Sequence, residues 1–365
     1  MLKIIISGGG TGGHIYPGIS LASEFKSRNI KNDILFVGTE RGMEAKIIPR
    51  EGFKFAKIYA KGIKRKICFD NLITILIFFV SLFQSYKILK KYRPDIVIGT
   101  GGYVSGSIVL LAAILNIPTF IQEQNVIPGI TNKFLARFTR ATFLSFDQSR
   151  KYFRNKEKLI FTGNPIRLKN IKGFRDKNYK KFELNPLKST ILVIGGSKGA
   201  ASINRAVIEG IRLIKNSIKD EWQILLVSGA DDYKKIKKIT AKDRDIFHVE
   251  SYLYDIGKAY LLADLVICRA GATTLAEVTA HGLPTILIPY PYATNNHQGF
   301  NARILEKNGA AEIIIEEKLT GKTLAKILFD LLKNKNKLEM MAKKSKKLGN
   351  VNSAKKIIDF ILDHI

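Results

Sequence analysis

Along most of the chain, short apolar runs rich in β-branched residues alternate with helix-length amphipathic stretches. Lys3–Ser7, Asp33–Val37, Asp95–Gly99, Thr119–Gln122 and Ala141–Ser145 read as strands spaced for crossover helices, the pattern of a doubly wound parallel sheet. After Gly163-Asn164-Pro165 a lysine-rich polar stretch runs to about Ser189. The alternation then restarts with Thr190–Ile194, Gln223–Val227, Ile246–Val249, Leu265–Cys268 and Thr285–Ile288, which predicts a second α/β domain of the same class with its boundary near Pro165. Each half opens with an apolar strand, a glycine-rich turn and a helix. The tail Lys343–Ile365 reads as a helix whose apolar positions, Ile357, Ile358, Phe360, Ile361 and Leu362, must pack against one of the two domains.

Length agrees: 365 residues suggest two domains of about 150–180 residues each. With 46% apolar and 25% charged residues the chain is too apolar to be disordered. A formal charge of +29 favours phosphate-bearing partners without choosing among nucleic acid, anionic lipid and nucleotide diphosphate, and a lysine-rich composition accounts for part of it. Cys68 and Cys268 lie far apart and form neither a disulfide framework nor a metal quartet, which fits a reducing compartment. Lys3-Ile4-Ile5-Ile6-Ser7 leads directly into glycines, so no signal peptide is expected. Leu72–Phe83 is almost unbroken apolar between Lys61, Lys64, Arg65, Lys66 and Lys87, Lys90, Lys91. At 12 residues it is short of the roughly 20 that span a bilayer, and reads either as a core helix or as a patch that dips into a membrane.

The chemistry lies in the turns. Ser7-Gly8-Gly9-Gly10-Thr11-Gly12-Gly13-His14 satisfies the dinucleotide fingerprint at Gly8, Gly10 and Gly13, and the following helix start would favour an anion. Gly99-Thr-Gly-Gly102-Tyr103-Val-Ser105-Gly106 and Gly195-Gly-Ser197-Lys-Gly199 repeat the device, so a cleft between two facing sheets with several phosphate contacts fits better than a dehydrogenase. Cys268-Arg-Ala-Gly-Ala272-Thr273-Thr274-Leu275-Ala276-Glu277 is a fourth such turn. There Thr274 to Glu277 reads as a capping box, while the same carboxylate suits ribose hydroxyls. Asp243-Arg-Asp245 superficially matches a metal-binding DxD but sits in a charged loop, and reads as solvated surface. Lys151-Tyr-Phe-Arg154 is too short a basic–aromatic run for nucleic-acid binding, and none is expected.

Together these turns, with Pro17, Glu123-Gln124-Asn125, Gly163-Asn-Pro-Ile-Arg167 and His297-Gln298, closely resemble the MurG family of peptidoglycan N-acetylglucosaminyltransferases over essentially the whole chain. The resemblance implies a GT-B fold: an acceptor- and membrane-binding domain over 1–164, a UDP-GlcNAc domain over 165–344, and a last helix, about 345–365, returning to the first. It implies inverting transfer of GlcNAc from UDP-GlcNAc to the C4 hydroxyl of MurNAc in undecaprenyl-diphosphate-MurNAc-pentapeptide (lipid I), giving lipid II. A related GT-B transferase using another UDP-sugar or lipid acceptor is the alternative.

By motif, Thr11, Gly12, Gly13 and Asn125 would meet the donor sugar, and Arg167 and Ser197 the diphosphate. Leu253 would lie along the uracil, Ala272, Thr273, Thr274, Leu275 and Ala276 would bring a helix start to phosphate, Glu277 would take the ribose and Gln298 the GlcNAc hydroxyls. Gly102, Tyr103 and Ser105 would meet the acceptor. His14 is the candidate general base because imidazole titrates near neutral pH, with Glu123 as rival. Helix dipoles, Arg167 and Ser197 would stabilise the leaving diphosphate, so no metal or other cofactor is expected. An acceptor anchored in lipid favours membrane contact at Leu72–Phe83, on the cytoplasmic face of the bacterial plasma membrane, with room for partner proteins of cell-wall synthesis.

Overall fold

In the computed structural model, which describes residues 1–62, 69–167, 175–196 and 199–365, the β-branched runs form two all-parallel sheets in two units. The first unit takes Met1–Arg167 and Val351–Ile365, the second Leu168–Asn350.

The first unit runs β1 (Lys3–Gly8), α1 (Gly12–Arg28), β2 (Asp33–Thr39), α2 (Glu44–Arg50), β3 (Lys54–Ile58), α3 (Phe69–Tyr92), β4 (Ile96–Gly101), α4 (Ser105–Ile114), β5 (Thr119–Glu123), α5 (Ile130–Leu135), β6 (Ala141–Leu144) and β7 (Leu159–Phe161). Its strand order is β3-β2-β1-β4-β5-β6-β7. The order reverses between β1 and β4, and the turns after both strands therefore open at one place, the topological switch point where such sheets bind ligands. β1 alternates its side chains between two faces: Ile4 and Ile6 join Phe25, Phe120 and Phe143 in one core, and Ile5 joins Val97, Val109 and Ile121 in the other. Burial on both faces explains why the central strands read as continuous apolar runs.

The second unit runs α6 (Arg175–Lys181), β8 (Ser189–Ile194), α7 (Ala201–Ile218), β9 (Trp222–Val227), α8 (Tyr233–Ile239), β10 (Phe247–Glu250), α9 (Gly257–Tyr260), β11 (Leu265–Cys268), α10 (Ala272–His281), β12 (Thr285–Leu287), α11 (His297–Lys307), β13 (Ala311–Ile313), α12 (Gly321–Lys333) and α13 (Lys335–Leu348). The order β10-β9-β8-β11-β12-β13 puts its switch point between β8 and β11. The ten predicted strands are all present. β3, β7 and β13 are additional, and all three are edge strands, where one-sided pairing leaves too few apolar positions to mark them.

The tail divides differently from its sequence pattern. α13 stays on the second unit, where Lys346 Nζ donates to the Ala280 carbonyl at 2.6 Å. The chain breaks at Gly349-Asn350, and only the last helix, α14 (Ser353–Asp363), packs on the first unit, not the whole of 345–365. Ile357, Ile358 and Ile361 are fully buried in the β1 core, the Phe360 ring meets Phe143 edge-on at 5.6 Å, and Ser353 Oγ donates to the Gly163 carbonyl at 2.7 Å.

α3 is inverted relative to an ordinary surface helix. Its buried face carries Thr74, Ser81 and Ser85 and then, in its last turns, Leu89, and the two serines meet Ser107 of α4 at 2.6 and 3.2 Å. Its exposed face carries Ile73, Ile75, Leu76, Phe78, Phe79, Val80, Phe83 and Tyr86. Ile73–Tyr92 is 20 residues, long and apolar enough by length and composition to cross a membrane. The apolar stretch therefore extends beyond the 12 residues evident in the sequence, while Lys64, Arg65 and Lys66 lie outside the described residues.

Because α14 closes one face of the β1 core, Ile361→Ala is expected to cost about 2–4 kcal/mol. The check is the urea unfolding midpoint of the first unit's transition, which should move to lower concentration.

Candidate functional site

The first unit's two glycine turns meet at their switch point. Gly9 N–H donates to the Gly101 carbonyl at 3.3 Å, and Gly102 approaches so closely that a Cβ there would lie 2.5 Å from the Gly9 oxygen. Gly101 and Gly102 have φ of +103° and +81°, so side chains at either position would be excluded by backbone conformation as well as by space.

His14, in the first turn of α1, lies half-buried against this junction. Its Nδ1 is 2.9 Å from the Gly9 carbonyl oxygen. A carbonyl only accepts, so Nδ1 carries the proton and, in the neutral ring, Nε2 carries the lone pair. Tyr103 is exposed and borders Gly10. Ser105, by contrast, is fully buried, with Oγ donating to the Gly102 carbonyl at 2.9 Å. It braces the turn at the start of α4 and presents no hydroxyl to an acceptor, contrary to the motif-based expectation.

The fingerprint also departs from the expected anion cradle at one position. Gly10 N–H donates at 3.0 Å to the carboxylate of Glu44, a buried residue that sequence analysis did not single out. An acid in the first turn of a short helix reads as dipole complementation, and nothing in its spacing reveals the long-range contact. Gly12 and Gly13, opening α1, have no intrahelical acceptor for their N–H groups, the feature that suits a helix start to an anion.

Glu123 ends β5 and is buried. Its Oε1 accepts from Asn125 N–H at 2.9 Å and its Oε2 from Gly129 N–H at 3.1 Å and Asn132 Nδ2 at 2.8 Å. Burial pushes the Glu123 carboxyl above the usual range, and the Asn125, Asn132 and Gly129 donors act in the other direction. The arrangement holds the Asn125 loop in place. Asn132 was not evident from sequence because a lone polar residue in a short helix carries no periodic signal. Arg167 pairs with Glu51 at 2.9 Å and stacks over the Tyr16 ring at 5.1 Å, on the side of α1 where Tyr16 borders Gly12.

In the second unit the turns after β8 and β11 sit side by side at the other switch point. Gly199, at φ +78°, leaves 2.4 Å between a hypothetical Cβ and the Ser228 carbonyl oxygen, which fixes the loop against the end of β9. Ser197 lies outside the described residues. α10 starts at Ala272 with Gly271 as its N-cap and no side-chain cap. The capping box is thus overturned: Thr274 lies inside the first turn and Glu277 in the second, too far along to cap. Ala272, Thr273 and Thr274 are the residues whose N–H groups open the helix, with Leu275 buried and Ala276 half-buried on the next turn.

Glu277 accepts instead from the hydroxyl of buried Tyr260, which burial and this carboxylate push well above the ordinary tyrosine range. Gln298 stands at the second position of α11 and its Oε1 accepts from Tyr290 N–H at 2.9 Å, which fixes the amide's orientation. Leu253, half-buried, follows β10 at the far edge of the sheet. Arg269 ties the β11 turn to its surroundings: Nη1 donates to the Ile288 carbonyl at 3.2 Å and both terminal nitrogens engage Glu316. Burial acts upward on the Glu316 carboxyl, but the Arg269 and Ser202 hydrogen bonds outweigh it and hold it below its ordinary range.

Asp243 pairs with Arg212 at 2.9 Å and Lys215 at 3.0 Å, and Asp245 with Lys215 at 2.8 Å. These aspartates are charge partners of α7. Among the described residues no group of three His, Cys, Asp or Glu side chains forms a metal cluster. Cys268 is a buried free thiol pushed up to about 12 by burial, while Cys68 lies outside the described residues. In the short basic–aromatic run Phe153 is buried, Tyr152 is half-buried and Lys151 Nζ lies 5.2 Å from the Tyr152 ring centroid.

Comparisons with known proteins agree with this architecture. Residues 4–144 match the glycosyltransferase family 28 N-terminal domain and residues 190–359 its C-terminal domain. The UDP-N-acetylglucosamine–N-acetylmuramyl-(pentapeptide) pyrophosphoryl-undecaprenol N-acetylglucosamine transferase of Acetivibrio thermocellus is 43% identical over 99% of this chain and 98% of its own length. The crystal structure of Acinetobacter baumannii MurG covers 100% of both chains with a TM-score of 0.79 at 27% identity. A Neisseria meningitidis UDP-GlcNAc 2-epimerase shares the fold alone, with a TM-score of 0.71 at 13% identity over 100% of both chains. The two domain matches and the full-length identity place the chain in glycosyltransferase family 28 and, within it, in the MurG family of N-acetylglucosamine transferases.

Proposed function

We propose that the protein transfers GlcNAc with inversion from UDP-GlcNAc to the C4 hydroxyl of the MurNAc unit of undecaprenyl-diphosphate-MurNAc-pentapeptide, releasing UDP and forming lipid II. The observation that carries this reading is the full-length 43% identity, combined with a glycine turn and helix start at the switch point of each sheet. The second unit is assigned the nucleotide. The start of α10 stabilises phosphate charge, Glu277, oriented by Tyr260, accepts from ribose hydroxyls, Gln298 meets sugar hydroxyls, and Leu253 lines the base. Thr11, Gly12, Gly13 and Asn125 are assigned to the transferred sugar, and Gly102 and Tyr103 to the acceptor.

His14 is the general base in this reading. With its proton on Nδ1 it can take the acceptor proton at Nε2, whereas both Glu123 oxygens are occupied by N–H donors and serve the Asn125 loop. As the C4 oxygen attacks the anomeric carbon, the bond to the UDP oxygen breaks. Arg167, Ser197 and the helix starts then stabilise the negative charge on the leaving diphosphate without a cofactor.

The acceptor is lipid-anchored, and α3 suits a membrane surface: its polar groups are satisfied inward and its apolar residues face out beside Lys87, Lys90 and Lys91. On this reading the enzyme sits peripherally on the cytoplasmic leaflet, with its lysines against anionic headgroups.

Three measurements test the reading. Transfer of labelled GlcNAc to a short-chain lipid I analogue should proceed with EDTA present, and His14→Ala should lower kcat by about a hundredfold to ten-thousandfold; a loss under tenfold would remove His14 as the base. Glu277→Ala should raise KM for UDP-GlcNAc by about tenfold or more, as expected for a hydrogen bond to a charged group, and a change within about twofold would end the ribose assignment. Phe79→Glu with Phe83→Glu should abolish most sedimentation with anionic vesicles while leaving turnover of the short-chain acceptor intact.

A further inference from the structure

The Gly9–Gly10 peptide is engaged from both ends by ionisable side chains. Its carbonyl oxygen accepts from His14 Nδ1 at 2.9 Å, and its N–H donates to Glu44 Oε2 at 3.0 Å. The other carboxylate oxygen, Oε1, accepts from Thr39 N–H at 3.0 Å and Thr39 Oγ1 at 2.6 Å. Glu44 is 1% exposed, and all three of these donors are neutral. Three glycines surround it: a Cβ at Gly9, Gly38 or Gly42 would lie 2.2–2.6 Å from its side-chain atoms. The carboxylate is thus enclosed by backbone at the first position of α2, and its hydrogen bond to Gly10 ties the fingerprint turn to the end of β2.

We propose that Glu44 is the positioning residue of His14, fixing its tautomer and raising its proton affinity through the Gly9–Gly10 peptide. A carboxylate accepting from the peptide N–H polarises that amide and increases the negative charge on its carbonyl oxygen. The oxygen then holds the Nδ1 proton more firmly and favours the imidazolium formed when Nε2 takes a proton. The arrangement performs with one interposed peptide what a directly bonded carboxylate does for a catalytic histidine. Its catalytic consequence rests on the general-base role of His14; the coupling itself does not. Among the described residues, Glu123 is reached through Asn132, which like His14 lies beside Gly101, and Tyr103 borders Gly10, while Arg167 lies over Tyr16 and pairs with Glu51. None of them shares the Gly9–Gly10 peptide.

The test is an NMR titration of His14 in the full-length protein, comparing wild type with Glu44→Gln, which removes the charge, keeps the size and turns one acceptor oxygen into an NH2 donor that faces a backbone N–H. Wild type should show the Nδ1–H tautomer. The variant should lose about half a unit or more from the His14 pKa, about a threefold fall in proton affinity, and part of its tautomer preference. Thr39→Val strips one donor from Oε1, concentrates charge on the carboxylate, and should move the His14 pKa upward; it carries the test if Glu44→Gln fails to fold. An unchanged tautomer and pKa in a folded variant would overturn the proposal. The acidic limb of kcat/KM should shift with the measured pKa, with KM for UDP-GlcNAc within about twofold of wild type. A titration that moves while the limb stays would uphold the coupling and instead remove His14 as the general base.

Discussion

The close approach of the turns after β1 and β4 is the constraint on which the first unit's site depends. Where the strand order reverses, the connections leave adjacent strands in opposite directions, so the turns after β1 and β4 border a common opening. Their backbones meet at the Gly9–Gly101 hydrogen bond, and the space left over is what His14 fills. Residues with a Cβ at 101 or 102 would push the turns apart and strain the backbone, displacing the ring from the Gly9 carbonyl that sets its tautomer. Glycine content here is therefore as much about positioning a side chain as about admitting a phosphate.

Around this junction buried polar groups form a brace. Glu44 holds the first turn, Glu123 holds the Asn125 loop, and Gln124 Nε2 donates to the Thr100 carbonyl between them. Each carboxylate takes several neutral donors, which is how a charge is kept inside without a salt bridge. The second unit reaches a similar end by a different route. Arg269 binds the β11 turn through Glu316 and backbone carbonyls, and Tyr260 orients Glu277 from the core. In both units the groups assigned to chemistry are held by hydrogen bonds from neighbouring buried or half-buried residues.

The two exceptional helices show how fold and surroundings are joined. α14 completes the β1 core with three isoleucines, so the carboxyl end of the chain is structurally part of the first unit. α3 reverses the usual rule by burying hydroxyls and exposing phenylalanines. Burying serines costs little when they bond to one another, while the exposed apolar face stays costly in water until another apolar surface covers it.

Much of this was legible in the sequence. The two sheets, their central strands, the glycine turns and the family all followed from local signals: β-branched runs, turn residues and motif spacing in fixed order. Composition and periodicity report what a residue does with its near neighbours, and there they were dependable. What they missed are contacts set by chain segments far apart. Thr274 and Glu277 have the spacing of a capping box, yet the helix starts three residues earlier than that box requires and a tyrosine from another element takes the carboxylate. Ser105 stands in a family motif, yet is spent on its own turn, and Glu44 looked like an ordinary first-turn acid until β2 and the fingerprint turn closed around it. The edge strands and the point where the tail changes units belong to the same class. A sequence specifies each residue's capacity to bond; which partner satisfies that capacity is decided only when tertiary packing brings the donors and acceptors within reach.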